Sequence, residues 1–329
     1  MKVSIIGTGY VGLTTAVALA YIGHEVHCID QNPQVIESLS DGRVPIHEPG
    51  VKELLAMHLP LSFGGWDSFD PQSDVVFIAV GTPCKPNGDA DLTYVEAVAA
   101  EIGRRMDEKP YLTVVVKSTV PLGSARRVES IITAALRERE INTRLDVASN
   151  PEFLREGSAL YDTFYPDRIV VGANKTFSAN VLRELYTPIL EQTFAHPAGV
   201  REPQTNKLPV FITTTATSAE LIKYAANAFL AMKISFINEF AGLAEHVGAD
   251  ITEVANINSS PCSRSSGAPL SASWASPLSR TPTTPGTPPF WRSPNVWSTS
   301  APPLGARPGG HPHPQREAPR TKRNLLRHT

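Results

Sequence analysis

Cysteine is scarce in this chain, with three among 329 residues. Cys28, Cys84 and Cys262 are odd in number and follow no recurring spacing. That excludes a disulfide framework and suits a reducing, cytoplasmic compartment; no metal site is expected. Long apolar runs are also missing. None reaches the roughly 18 residues that a spanning helix needs, so no membrane association is expected. Met1-Lys2-Val3 passes directly into a β-prone run, which leaves no room for a leader peptide. The net charge is only −2 and hides an asymmetry. From Ser259 onward eight arginines and one lysine face a single acid, Glu317, whereas residues 1–258 carry a net charge of −10.

What is present begins at the first residues. Val3, Ile5 and Ile6 lead into Gly7-Thr8-Gly9-Tyr10-Val11-Gly12, followed by an apolar stretch to Ile22. The spacing is G-x-G-x-x-G between a strand and a helix. Gly7 permits the tight turn, Gly9 leaves the backbone open to a pyrophosphate, and Gly12 lets helix and strand approach. The helix N-terminus then faces the phosphates. A second strand, Val26 to Ile29, ends in Asp30, 18 residues past Gly12. An acid there accepts hydrogen bonds from a ribose diol and repels a 2′-phosphate. Gln31 and Asn32 offer no arginine for such a phosphate, so NAD is favoured over NADP. The bland alternative is a βαβ turn with an incidental acid.

Strands and helices alternate over the next 180 residues. Helices are expected at Pro33–Leu39, Val51–His58, Leu92–Met106, Leu122–Arg137 and Phe177–Leu190. Strands are expected at Asp74–Val80, Leu112–Val116, Asp146–Ala148 and Ile169–Val171. The fold class is therefore α/β, a doubly wound parallel Rossmann-type sheet. Residues 191–215 read as irregular with one β-prone run, Val210–Thr214. A helix of more than 25 residues follows, opened by Thr217-x-x-Glu220 as a capping box and closed near Gly248. Its length suits bridging domains or packing on a partner subunit. The expected divisions are a nucleotide-binding domain at 1–215, the long central helix region at 216–256, and a Pro/Ser/Arg-rich tail at 257–329 whose composition predicts disorder.

Four loops should converge at the carboxyl ends of the strands: 7–12, 81–83, 117–121 and 149–157. Thr119 offers a hydroxyl. Glu152 and Glu156 are four apart, and one helical turn would bring both carboxylates to one face for shared acid and base work; acids at a helix start are the plain alternative. Lys223 and Asn227, also four apart on the long helix, could stabilise an oxyanion; a snorkelling lysine beside an asparagine is the plain alternative. No basic neighbour would lower the pKa of Cys84.

Several runs together resemble the UDP-glucose/GDP-mannose dehydrogenase family. They are Ile6 to Leu13, Glu48-Pro49-Gly50, Val80-Gly81-Thr82-Pro83, Lys117 to Pro121, Ser149 to Gly157, Pro166-Asp167-Arg168 and Ala219 to Asn227. The resemblance covers residues 1 to about 256. It implies oxidation of a nucleotide-sugar 6-alcohol to the acid by two hydride transfers to NAD, with a cysteine capturing the intermediate aldehyde. It also implies a homodimer built on the long helix. By the resemblance Gly7, Gly9, Tyr10, Val11, Gly12, Asp30, Thr82, Thr119 and Glu156 would serve NAD. Glu152, Phe153, Leu154, Glu156, Lys223 and Asn227 would contact the sugar, Glu152 as acid/base and Lys223 with Asn227 at the oxyanion. Val35 stands where the family often carries a lysine. The Asn-Pro-Glu-Phe-Leu-Arg-Glu-Gly run leans toward UDP-glucose as substrate.

The family continues with a Gly-Gly-Ser-Cys-Phe-x-Lys-Asp run that carries the nucleophile, then a UDP-binding domain; residues 257–329 show neither. Cys262 lacks the flanking glycines and lies too soon after Asn227 to be that nucleophile. The abrupt change predicts an out-of-frame or truncated continuation. Two functions remain to be separated: a nucleotide-sugar dehydrogenase, and an NAD-binding fragment without turnover. A nucleic-acid partner for the basic tail is not expected, because its charges are scattered and match no motif.

Overall fold

The computed structural model of the chain describes residues 1–203 and 207–259. Eight strands form one sheet in the order β3-β2-β1-β4-β5-β6-β7-β8. They are β1 Lys2–Ile6, β2 Glu25–Ile29, β3 Leu61–Gly64, β4 Val75–Ile78, β5 Tyr111–Val116, β6 Arg144–Ser149, β7 Arg168–Gly172 and β8 Val210–Thr214. The first six are parallel neighbours, and their order reverses between β1 and β4. That reversal is the topological switch point at which open α/β sheets bind ligands. The expected doubly wound parallel sheet is present, with one antiparallel junction. β7 meets β6 antiparallel through Ser149 and Gly172, and β8 then runs parallel to β7.

Strand alternation divides the core. Ile6, Ile78, Val114 and Val116 point to one face, where helices α4 (Thr93–Arg105) and α5 (Ser124–Glu138) cover them with Ile102 and Ile132. Ile5, Phe77 and Val115 point to the other, under α1 (Tyr10–Tyr21) and α7 (Thr176–Glu191), through Leu19, Leu182 and Leu185. Continuous β-branched runs in β4 and β5 are what burial on both faces demands. Three short helices, α2 (Pro33–Ser40), α3 (Val51–Leu55) and α6 (Ala159–Phe164), lie between these elements. α3 is shorter than the expected 51–58, because the chain turns left-handed at His58 (φ 51°). β3 and α6 were not expected from the sequence.

The long helix α8 runs Ala216–Val247, closed by left-handed Gly248, and α9 follows at Ile251–Ser259. The expected capping box at Thr217 and Glu220 does not form. Thr215 is the N-cap, its hydroxyl accepting from Ser218 N–H. Among the described residues no helix is long and apolar enough to cross a membrane. Of the expected tail at 257–329, everything from residue 260, Cys262 included, lies outside the described residues.

Candidate active site

The nucleotide cleft is built at the end of β1. Gly7 has φ +100°, a left-handed conformation, and a Cβ there would stand 2.8 Å from the Ala79 carbonyl oxygen. A Cβ on Gly12 would lie 1.9 Å from the Gly7 carbonyl. Neither position tolerates a side chain, whereas a Cβ on Gly9 would meet no atom within 4 Å. The space before the N-terminus of α1 is therefore open, and the free N–H groups there suit a pyrophosphate. Val11, one residue into α1, is partly exposed beside that opening.

Asp30, at the end of β2, holds the glycine loop. Its Oδ2 accepts from Thr8 N–H (2.9 Å) and the Thr8 hydroxyl (2.7 Å), and Oδ1 accepts from Asn32 N–H (2.9 Å). Thr82 lies beyond β4 and donates its hydroxyl to the Thr119 carbonyl at 2.8 Å. Ser118 donates to the Val80 carbonyl at 2.6 Å. The 80–83 and 117–121 loops are thus bonded to each other, as the convergence argument expected.

The second half of the site is the segment 150–157, which leaves the end of β6 without forming a helix. The expected helical turn sharing Glu152 and Glu156 is therefore corrected, and the two carboxylates belong to different surroundings. Glu152 pairs with Lys223 of α8, Nζ to Oε1 at 2.7 Å, and the same ammonium donates to the Glu152 carbonyl at 2.7 Å. Its other oxygen accepts from Leu154 N–H. The ring of Phe153 lies beneath two cations, Arg168 at 5.3 Å and Lys223 at 5.7 Å. Glu156 is exposed and lies on the Tyr10 side. Asn227 is exposed, one turn beyond buried Lys223 on the same face of α8.

Two groups escaped the sequence reading. Lys117 is the first residue after β5, and strand alternation places it on the Val115 face, toward α7. There it is buried, donating to Asn150 Oδ1 at 3.1 Å; Tyr186 of α7 donates to the same oxygen at 2.8 Å. Burial pulls the Lys117 ammonium down to about 8, against the attraction of Glu152. The continuous apolar run before it was the available signal. The other is Glu48, buried in the Glu-Pro-Gly run. It accepts from Tyr10 OH, from Gly157 N–H (3.0 Å) and from Leu160 N–H (3.1 Å), and so ties the turn after Glu156 to the first residue of α1. Burial, then Glu48, raises the Tyr10 phenol. A cavity of about 880 Å³ opens beside Lys117, Asn150, Glu152, Phe153 and Arg168.

This sheet order and glycine cradle define a Rossmann-type dinucleotide-binding protein. The sequence matches the UDP-glucose/GDP-mannose dehydrogenase family, NAD binding domain, over residues 1–190, and that family's central domain over 217–271. The chain belongs to this family, and residues 1–190 are its NAD-binding domain. A UDP-glucose 6-dehydrogenase of Bacillus subtilis is 44% identical over 259 residues, 78% of this chain and 54% of that protein. A UDP-glucose dehydrogenase structure from Pyrobaculum islandicum is 40% identical with a TM-score of 0.67, covering 79% of this chain and 56% of that one. A GDP-mannose dehydrogenase from Pseudomonas aeruginosa is 35% identical with a TM-score of 0.68, covering 78% and 56%. The chain spans about half the length of the curated relatives it matches.

Proposed function

We propose that residues 1–256 are the cofactor-binding and central part of an NAD-dependent UDP-glucose 6-dehydrogenase, which oxidises the sugar 6-alcohol to the acid. One observation carries this reading: the Lys223–Glu152 pair stands at the carboxyl edge of the same sheet that builds the glycine cradle. Gly7, Gly9, Tyr10, Val11, Gly12, Asp30, Thr82, Thr119 and Glu156 would hold NAD, which supplies a hydride acceptor. Lys223 fixes the orientation of Glu152 as acid/base. Lys117, which lines the cavity, adds a second cation near Glu152 that would favour an alkoxide or carboxylate there. Asn227, one turn beyond Lys223 on α8, would join Lys223 in stabilising the sugar oxyanion. Phe153 and Leu154 would line the sugar's approach. α8 exposes Leu221, Leu230, Met232, Ile234, Leu243 and Val247, which suits a homodimer formed along it.

Residues 257–329 carry no Gly-Gly-Ser-Cys run, which favours a second reading for the 329-residue chain: NAD binding through residues 1–190 without sugar turnover. Titration with NADH, followed by assay of NADH production from UDP-glucose, GDP-mannose and UDP-N-acetylmannosamine, tests both readings. Binding without turnover is the expected result. Turnover would overturn the second reading, and absence of NADH binding would overturn both. Translating codons 250–330 in all three frames tests the out-of-frame origin, which predicts Gly-Gly-Ser-Cys in another frame.

A further inference from the structure

The start of α8 is inside out. Its buried residues are Ala216, Ala219, Glu220 and Lys223, whereas Leu221 is 53% exposed. Two charged side chains point inward and a leucine points to solvent. Burying charge is costly unless each group is fully bonded. Lys223 is bonded to Glu152. Glu220 finds its partners 95 and 97 residues away: Oε1 accepts from Ala125 N–H at 2.8 Å and Oε2 from Gly123 N–H at 2.6 Å. These donors belong to the entry of α5, where backbone N–H groups lack helical acceptors. Gly123 takes φ +88° there, directly after the 117–121 loop.

The same stretch of α8 has no slack against the sheet. A Cβ on Gly172, the last residue of β7, would stand 2.5 Å from the Ala219 Cβ and 2.6 Å from the Thr215 carbonyl. The first turn of α8 thus rests on backbone, and the second is fastened by Glu220 to the loop that carries Thr119. Lys223 lies three residues further along the same helix face.

We propose that Glu220 is a positioning residue that couples the 117–123 loop at the nucleotide cleft to Lys223, and so sets Lys223 against Glu152. This rests on the reading of Lys223 and Glu152 as the site's chemical pair. The path runs by hydrogen bond from Thr82 to Thr119, along the chain to Gly123, by hydrogen bond to Glu220, and along α8 to Lys223, which bonds Glu152. Glu220 acts through Lys223 and touches no reacting atom.

The test is pulse acetylation of the full chain with an N-hydroxysuccinimide ester, read by peptide mass spectrometry as the rate at Lys223 relative to Lys109. Lys109 is also partly buried and bonded, donating to the Ser73 carbonyl across the sheet from α8. In E220A the Lys223 rate should rise about tenfold relative to Lys109 as its local protection is lost. E220Q keeps one acceptor oxygen and should fall between parent and E220A. Prior saturation with NADH should slow Lys223 labelling in the parent and leave it unchanged in E220Q. Equal acceleration of both lysines, or none at Lys223, would reduce Glu220 to a structural contact and overturn the proposal. If E220A does not fold, the near-isosteric E220Q decides by the same ratio. The ratio is read without sugar, so it stands apart from the turnover assay.

Discussion

Lys223 and Glu152 form a doubly tied pair: one ammonium serves the glutamate's carboxylate and its carbonyl, both at 2.7 Å. The side chains are only 10% and 14% exposed, so solvent screens them poorly. K223M should destabilise the fold by about 2 kcal/mol, chiefly by stranding a carboxylate. In a double-mutant cycle with E152Q, read by urea unfolding, the coupling should be about 1–2 kcal/mol. A coupling near zero would mean that the pair does not hold α8 to the 150–157 segment.

Asp30, proposed to hold NAD, is also the anchor of Thr8. D30A should weaken NADH binding about tenfold or more, the loss expected when charge-assisted hydrogen bonds are removed. T8V keeps the carboxylate but removes the hydroxyl, and should weaken it less. Fluorescence titration of both variants separates the anchor from the ligand contact.

Glu48 satisfies two backbone donors and the Tyr10 hydroxyl from a buried position. E48A leaves the two N–H groups and the hydroxyl without it, and should cost about 2–3 kcal/mol. Y10F removes two links, the donation to Glu48 and the acceptance from Gly157 N–H, and should cost about 1–2 kcal/mol. Hydrogen exchange should show Gly157 and Leu160 losing protection in E48A, whereas in Y10F Leu160 stays protected.

Lys117 gives a stability signature in pH. Its folded pKa is lowered from 10.5 to about 8, so between these values the unfolded chain binds the proton that the folded chain has released. Folding stability from this group therefore rises with pH through that window, and the penalty is greatest below 8. K117M removes the penalty. The variant should gain on the parent below pH 8, and that advantage should shrink by about 3 kcal/mol by pH 10.5, the linkage equivalent of the shift. Parallel urea titrations from pH 7 to 10.5 measure the difference directly.

Local patterns were legible and distant partners were not. Gly7, Gly12 and Asp30 announce themselves because turn, helix and acid lie within one βαβ unit, and the apolar runs of β4 and β5 allow little but buried strands. β3, only Leu61–Gly64, is too short for its period to show, and α6 owes its place to Glu48, more than a hundred residues earlier. The spacing of Glu152 and Glu156 suggested one helical face. Tertiary bonds from Glu48, Tyr10 and Lys223 impose an extended path instead. Glu220 read as a cap for its own helix and proved to serve another, because nothing local reveals the approach of α5. Lys117 read as a loop residue, since its burial depends on Tyr186, far along the chain.

At about 1.5 Å per residue, the 32 residues of α8 extend about 48 Å. Its charged anchors, Glu220 and Lys223, both lie in the first two and a half turns. A rod gripped at one end is a lever. From Lys223 to Val247 the arm is about 36 Å long, so a tilt of about 5° at the grip would sweep the far end through about 3 Å. Under the coupling proposed for Glu220, small adjustments of the 117–123 loop would be magnified at the far end of α8, where a spectroscopic label would read them from a distance.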